Sequence, residues 1–360
     1  MPLLQFQPLR SGLYTVDELF TGFRPLRSAS YTKSLDFQIY LQYVAAGAYA
    51  PTDYYVAMME AVHDNAIRRA TQDYLDSVPA KAAVAFMGGH DLPRNSPVYA
   101  QIAFLARTLA RRGYLPISGG GPGAMEATHL GALHQHAAAA ILARSLAELR
   151  RVADLPRHLE AIVSRKGKID ARLVKAAHAW LLPAFGIRRR IKNPGESLAV
   201  PTWLYGHEPT TVFATHIAKY FQNSVREDRL LAIATHGAIY FEGRGGTLQE
   251  IFQDAAQNYY RVLGDFSPMI FFGTRQWSEV LPVVSVLKKL FKARDFERYV
   301  CVTDDPATVD AFLSQHPRKE TPSQRMVRRR DAAGLPGLPS GSPRRSTHPL
   351  NPRPKRGPRR

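Results

Sequence analysis

From residue 82 onward the apolar positions alternate between two rhythms: short solid runs, and longer stretches with helical recurrence. Solid runs fall at 82–89 (AAVAFMGG), 114–118 (YLPIS), 197–206 (SLAVPTWLYG), 237–242 (GAIYFE), 268–272 (PMIFF) and 299–303 (YVCVT). Helical recurrence fills the intervals at 96–113, 124–136, 211–234, 247–263, around 277–292 and at 306–315. Six strands separated by helices predict an α/β fold, a parallel sheet covered on both faces. In such a sheet ligands bind beyond the carboxyl ends of the strands.

Two further stretches extend this plan. Residues 1–80 read as a helical N-terminal extension, in which Tyr40, Tyr43, Tyr49, Tyr54 and Tyr55 form a stripe suited to a core or a subunit interface. Residues 137–196 read as a helical insertion carrying the basic clusters at 165–168 and 188–192. His216 and Lys219, about one helical turn apart in the 211–234 pattern, read as surface residues. The expected division is 1–80, then a sheet domain over 81–315 that includes the insertion, then a tail over 316–360.

Three runs end in glycines at the same sheet edge: Gly88-Gly89, Gly119-Gly120-Gly121-Pro122-Gly123, and Gly243-Arg244-Gly245-Gly246. The third passes straight into the helical pattern TLQEIFQDAAQNYY. A strand, a tight loop and a helix start leave unpaired N–H groups at the positive end of the helix dipole, and a phosphate suits that place. Pro122 and Gly123 at the entrance to the helix after 118 suggest a second such approach. Glu250 lies three residues after Thr247. That spacing fits a capping box as well as it fits a carboxylate aimed at a bound ligand. There is no GxGxxG and no GxxxxGK[ST], which argues against a dinucleotide site and an NTPase.

Charge adds one feature. The net charge is +18, of which +11 sits in residues 316–360 together with nine of the 26 prolines and no aromatic residue. That composition predicts disorder, and at most weak, salt-sensitive nucleic-acid contact, since no rings interleave with the arginines to stack bases. The longest apolar run, at 137–143, is too short to span a bilayer. The first residues lack an export-signal pattern, so a cytoplasmic location is expected. Cys301 is the single cysteine and sits in an apolar run, which suggests a buried structural thiol. His207 and Glu208 in the loop GHEP are too few to hold a metal, and no cofactor is expected.

The second and third glycine loops, Gly119-Gly120-Gly121-Pro122-Gly123-Ala124-Met125-Glu126-Ala127 and Glu242-Gly243-Arg244-Gly245-Gly246-Thr247-Leu248-Gln249-Glu250, resemble the paired signatures of the LONELY GUY (LOG) family. The resemblance covers about 82–273, apart from 137–196. It implies a Rossmann-like fold and a phosphoribohydrolase, an enzyme that splits nucleoside 5′-monophosphates into free base and ribose 5-phosphate. It places the 5′-phosphate on Gly243, Arg244, Gly245, Gly246 and Thr247, and makes Glu250 and Arg226 catalytic. Base and ribose would then lie near Gly88, Gly89, Gly119, Gly120, Gly121, Met125 and Glu126. A homodimer is expected. Glu242 and Arg244 stand where the motif has proline and glycine, so Arg244 would either block the cradle or add a phosphate ligand. The alternative is a nucleotide-binding or sensing protein without catalysis. Arg226 paired on a solvated helix face and Glu126 as a first-turn dipole partner are the plain structural readings of those two residues.

Overall fold

The computed structural model describes residues 3–77, 82–164, 166–262 and 266–316. Arg165 of the first basic cluster and the tail from 317 onward lie outside them. In chain order the N-terminal segment holds α1 (Val16–Leu19), α2 (Leu35–Ala45) and α3 (Tyr54–Ser77). Then come β1 (Ala83–Met87), α4 (Pro97–Arg111), β2 (Leu115–Ser118) and α5 (Ala124–Leu133). The inserted helices are α6 (Ala139–Leu149) and α7 (Ala171–Arg190). Two short strands follow, β3 (Leu198–Ala199) and β4 (His216–Ile217), and then α8 (Asn223–Ile233) and β5 (Ala238–Tyr240). The chain continues through α9 (Gly245–Tyr259), β6 (Met269–Phe272), α10 (Val283–Leu290), α11 (Ala293–Tyr299), β7 (Val300–Thr303) and α12 (Pro306–Ser314).

The seven strands form one parallel sheet in the order β4-β3-β2-β1-β5-β6-β7, a Rossmann-like α/β fold. The chain starts at central β1, winds outward through β2 and β3 to β4, then crosses back to β5 on the other side. Ala85 of β1 pairs with Ala238 of β5, and Ala83 pairs with Leu115 of β2. β1, β2, β5 and β6 are buried throughout, which explains their solid apolar runs: a sheet covered on both faces has no polar face to alternate with. The reversal of winding direction opens a crevice at the carboxyl ends of β1 and β5.

Two elements differ from the pattern read along the chain. The run at 197–206 gives only a two-residue strand, because Pro201 cannot donate to a ladder. The 211–234 stretch is helical only from Asn223, and its first half contains β4 instead. Residues 211–214 and 217–221 are buried, so the apolar positions there follow no helical face, and a solid apolar run does not separate strand from helix. Lys219 is accordingly buried and not on a surface. The expected 277–292 helix is likewise divided, into a π-turn at Gln276–Val280 and α10, with Pro282 between them.

The N-terminal segment is part of the same core. Tyr14 and Ile217 exchange two backbone hydrogen bonds of 2.9 Å, which closes the exposed β4 edge. Trp203 stacks on Phe221 at 4.5 Å between centroids, and Phe6, Tyr14 and His63 pack around that pair. Of the tyrosine stripe, Tyr40 and Tyr43 enter the core, whereas Tyr49 and Tyr54 are exposed. Cys301 is half-buried in β7.

Candidate functional site

The start of α9 decides between the two readings of Thr247 and Glu250. The helix begins at Gly245, with Arg244 as N-cap and no capping bond from its side chain. The first bond of the helical ladder runs from Leu248 N to Arg244 O at 3.0 Å. The N–H groups of Gly245, Gly246 and Thr247 therefore lie ahead of the ladder, pointing out of the helix end. Thr247 is the third helical residue and Glu250 the sixth. A capping box needs them at the N-cap and third positions, so this pair is not one. A side chain at Gly243 would run into the Thr247 hydroxyl, which accounts for glycine there. At Gly245 and Gly246 an added Cβ would meet no atom within 4 Å, so open space lies over both.

That space belongs to a cavity of about 500 Å³ at the carboxyl edge of β1, β2 and β5. Gly88, Gly89, Gly119, Gly120, Gly121, Met125, Arg226, Arg244, Gly245, Gly246, Thr247 and Glu250 all line it. Gly243 sits just behind, against Thr247. The Arg226 guanidinium lies over Gly119, where a side chain would collide with its Nη2 and with Met125 Sδ. Its Nε donates to Val200 O at 2.8 Å, and its Nη1 reaches Glu250 Oε1 at 3.5 Å and Glu227 Oε1 at 4.0 Å. Burial pushes the Glu250 carboxyl up to about 7, with Arg226 pulling it down and Glu227 pushing it further up. Glu227 is itself held by Asn223 and Gln249, both at 2.6 Å, and by Tyr205 at 3.4 Å. Among the described residues the Glu250 carboxylate has one polar contact, the long one to Arg226, so burial outweighs pairing and its pKa stays raised.

Three expected placements change. Glu126 turns away from the cavity into a buried ion pair with Arg94, through bonds of 2.6 and 2.8 Å, and accepts a third bond of 2.8 Å from the Tyr99 hydroxyl. Arg94 also lies 3.6 Å over the Trp180 ring and donates to Trp180 O, which ties α5 to the inserted α7. The entrance of α5 is no second phosphate cradle, because Ala124 N donates to Gly89 O at 3.1 Å and Pro122 to Ala124 are buried. Arg244 neither fills the cradle nor points into it: its side chain is 86% exposed and pairs with Asp91 Oδ2 at 3.1 Å. The Glu242 side chain is exposed too, while its carbonyl accepts from Gly89 N at 2.9 Å and joins two of the three loops.

The cavity also contains residues that sequence reasoning passed over, among them His90, Glu160, Tyr205 and Glu208. In the sequence Glu208 stands out only beside His207, as half of a pair too small to hold a metal. No local signal marks it, since a single acid in a Gly/Pro loop gains meaning only from what folds around it.

The sequence matches no protein-family model and no curated protein. Among solved structures, the chain is similar to a structural-genomics target described as TM1055, at 18% identity over 65% of this chain and 99% of that one, with a TM-score of 0.38. It is similar to a molybdenum cofactor carrier protein from Chlamydomonas reinhardtii, at 13% identity over 65% of this chain and 97% of that one, with a TM-score of 0.37. A molybdenum cofactor binding protein from the phototrophic bacterium Rippkaea orientalis gives 11%, 66%, 98% and 0.33 in the same order. The Rossmann-like assignment rests on the strand order and parallel register described above. In the described residues no helix is long and apolar enough to cross a membrane.

Proposed function

We propose that this chain hydrolyses the N-glycosidic bond of nucleoside 5′-monophosphates, giving free base and ribose 5-phosphate. The observation that carries the reading is Glu250, a buried carboxyl held near neutrality beside Arg226, one helical turn below the open N-terminus of α9. The 5′-phosphate lies on the N–H groups of Gly245, Gly246 and Thr247, where the helix dipole and the glycine backbone favour an anion. Anchoring that end sets the ribose against Glu250. As the C1′–N bond breaks, the base leaves with the electron pair and takes up a proton. Ionised Glu250 stabilises the oxocarbenium-like sugar and orients the water, whose oxygen bonds to C1′ as it gives up the proton that balances the one taken by the base. Arg226 fixes the carboxylate and adds positive charge on the leaving-group side. A protein that only bound nucleotides would need the same cradle but no acid poised near pH 7.

The test is Glu250→Gln, which keeps size and hydrogen bonding but removes the charge. Free base released from AMP, GMP, CMP and UMP should fall by at least about a hundredfold for the best of them, with nucleotide binding retained. Wild-type turnover should rise as pH passes about 7, because the folded-state acid is raised and the reaction uses the ionised form. Release of base by the Gln variant at near wild-type rate would remove Glu250 from catalysis, and no release by the wild type would leave a binding protein.

A further inference from the structure

The proposed reaction rests on the α9 end of the cavity and leaves the far end without a role. That far end lies past β1, over the loop after β2. Neighbouring strands lie about 4.8 Å apart, so two strand spacings put it roughly 10 Å from the phosphate cradle. A nucleotide with its phosphate on α9 and its ribose at Glu250 therefore brings its base to Gly119–Gly121 and Met125.

Glu208 stands at this end. It lines the cavity, with Oε2 3.1 Å from where a Cβ on Gly121 would be. Each of the other cavity-lining carboxylates has a partner: Arg226 for Glu250, Arg244 for Asp91, His158 for Glu160, and three donors for Glu227. Among the described residues none hydrogen-bonds or ion-pairs with the carboxylate of Glu208. Glu208 is half-buried, and with no protein partner its carboxylate oxygens stay open to whatever the cavity binds.

Nor is it a loose side chain. Its neighbour His207 is buried, shares a hydrogen bond of 2.6 Å with the Tyr31 hydroxyl, and is packed by the rings of Phe37 and Tyr40 at 4.7 and 5.1 Å. Two residues on, Thr210 bonds to Asp36 Oδ2 at 3.2 Å and to Lys219 Nζ at 2.7 Å. Residues 31–40 thus clamp the chain on both sides of Glu208 and hold its carboxylate toward the cavity. Burial pushes its carboxyl up from the ordinary carboxylate range, while His90, Arg226 and Lys219 pull it back down at longer range; once ionised it can only accept a hydrogen bond.

We infer that Glu208 reads the base, accepting a hydrogen bond from an exocyclic amino group and rejecting a carbonyl oxygen at the same ring position. The inference rests on the proposed nucleotide site. It makes that site selective for amino-bearing bases, for which a carboxylate is the matching acceptor.

The experiment measures binding of AMP against IMP, and of CMP against UMP, to the full chain and to Glu208→Gln by calorimetry, with released base assayed alongside. The wild type should bind at least one amino nucleotide about tenfold or more tightly than its keto partner. Glu208→Gln should bring that ratio within about threefold, because an amide can donate to the carbonyl that a carboxylate repels. Its melting temperature should stay near the wild-type value, since glutamine keeps the size of the side chain and no protein partner is lost. Keto nucleotides bound as tightly as amino ones by the wild type, or a ratio untouched by Glu208→Gln in a protein that melts normally, overturns the inference. Hydrolysis of monophosphates in that case leaves the proposed function standing, whereas binding of none of the four removes both.

Discussion

The two ends of the cavity are built by opposite means. In the proposed site the α9 end offers backbone N–H groups to the ligand, over the open space left by Gly245 and Gly246. At the far end the proposal gives that part to a side chain, held by residues more than a hundred and fifty positions away. Asp36 joins Lys219 at 2.7 Å, Trp203 Nε1 at 2.9 Å and Thr210 at 3.2 Å, all of them buried. An anion can be gripped by a local device, because a loop and a helix start bring their own dipole. Telling one base from another needs oriented polar groups, and orienting them takes a second layer of packed structure.

The far end therefore breaks most severely. Burial alone would raise the Asp36 carboxyl, but Lys219, His207 and the bonds from Lys219 and Trp203 hold it below the usual range. Asp36→Ala strips Lys219 of its counter-ion inside the core, which should cost about 3–5 kcal/mol in a denaturant or thermal melt. Asp36→Ala combined with Lys219→Met should lose less than the two single changes summed, since the double variant buries no unpaired charge. Equal or greater loss in the double variant would show that packing, not charge pairing, holds this cluster.

This contrast also explains what could be read from the sequence. The parallel sheet, the three glycine-ended runs and the gathering of Gly119–Gly121, Met125, Arg226, Gly246, Thr247 and Glu250 at one edge follow from local patterns. The strand-to-helix loop sits on consecutive residues, so its chemistry is written in one stretch. The clamp on Glu208 is not: Tyr31 meets His207 and Asp36 meets Lys219 only after folding. Residues 211–221 hid it further, because a chain buried on all sides loses the periodicity that names an element. Glu126 misled for a related reason. Its place beside Met125 says nothing of Arg94, 32 residues earlier, which draws it into the core.

The α9 end should break without unfolding. Gly246 has no positive φ and no neighbour for an added Cβ, so Gly246→Ala should leave the melt unchanged or raise it slightly, alanine being the better helix former. In the proposed site the new methyl would lie where the phosphate approaches the backbone, and nucleotide affinity should drop by about tenfold, near 1.4 kcal/mol. A normal melt with unchanged affinity would place the phosphate elsewhere along the edge.

Arg244 gives the smallest effect and sharpens the boundary of the cradle. It stands beside the glycines proposed to hold the anion, yet its guanidinium reaches outward to Asp91 across the mouth, with both side chains exposed. Exposed pairs of this kind contribute about 0–1 kcal/mol, because solvent screens the attraction and two side chains lose freedom to make it. Arg244→Gly should therefore change stability by less than about 1 kcal/mol and nucleotide affinity by less than about fivefold, with the affinity change shrinking further as salt rises. An affinity loss matching that of Gly246→Ala, undiminished by salt, would mean that Arg244 swings inward when a phosphate binds. The anion end would then rely on a side chain after all, and the division between backbone and side-chain recognition would fail at its simplest point.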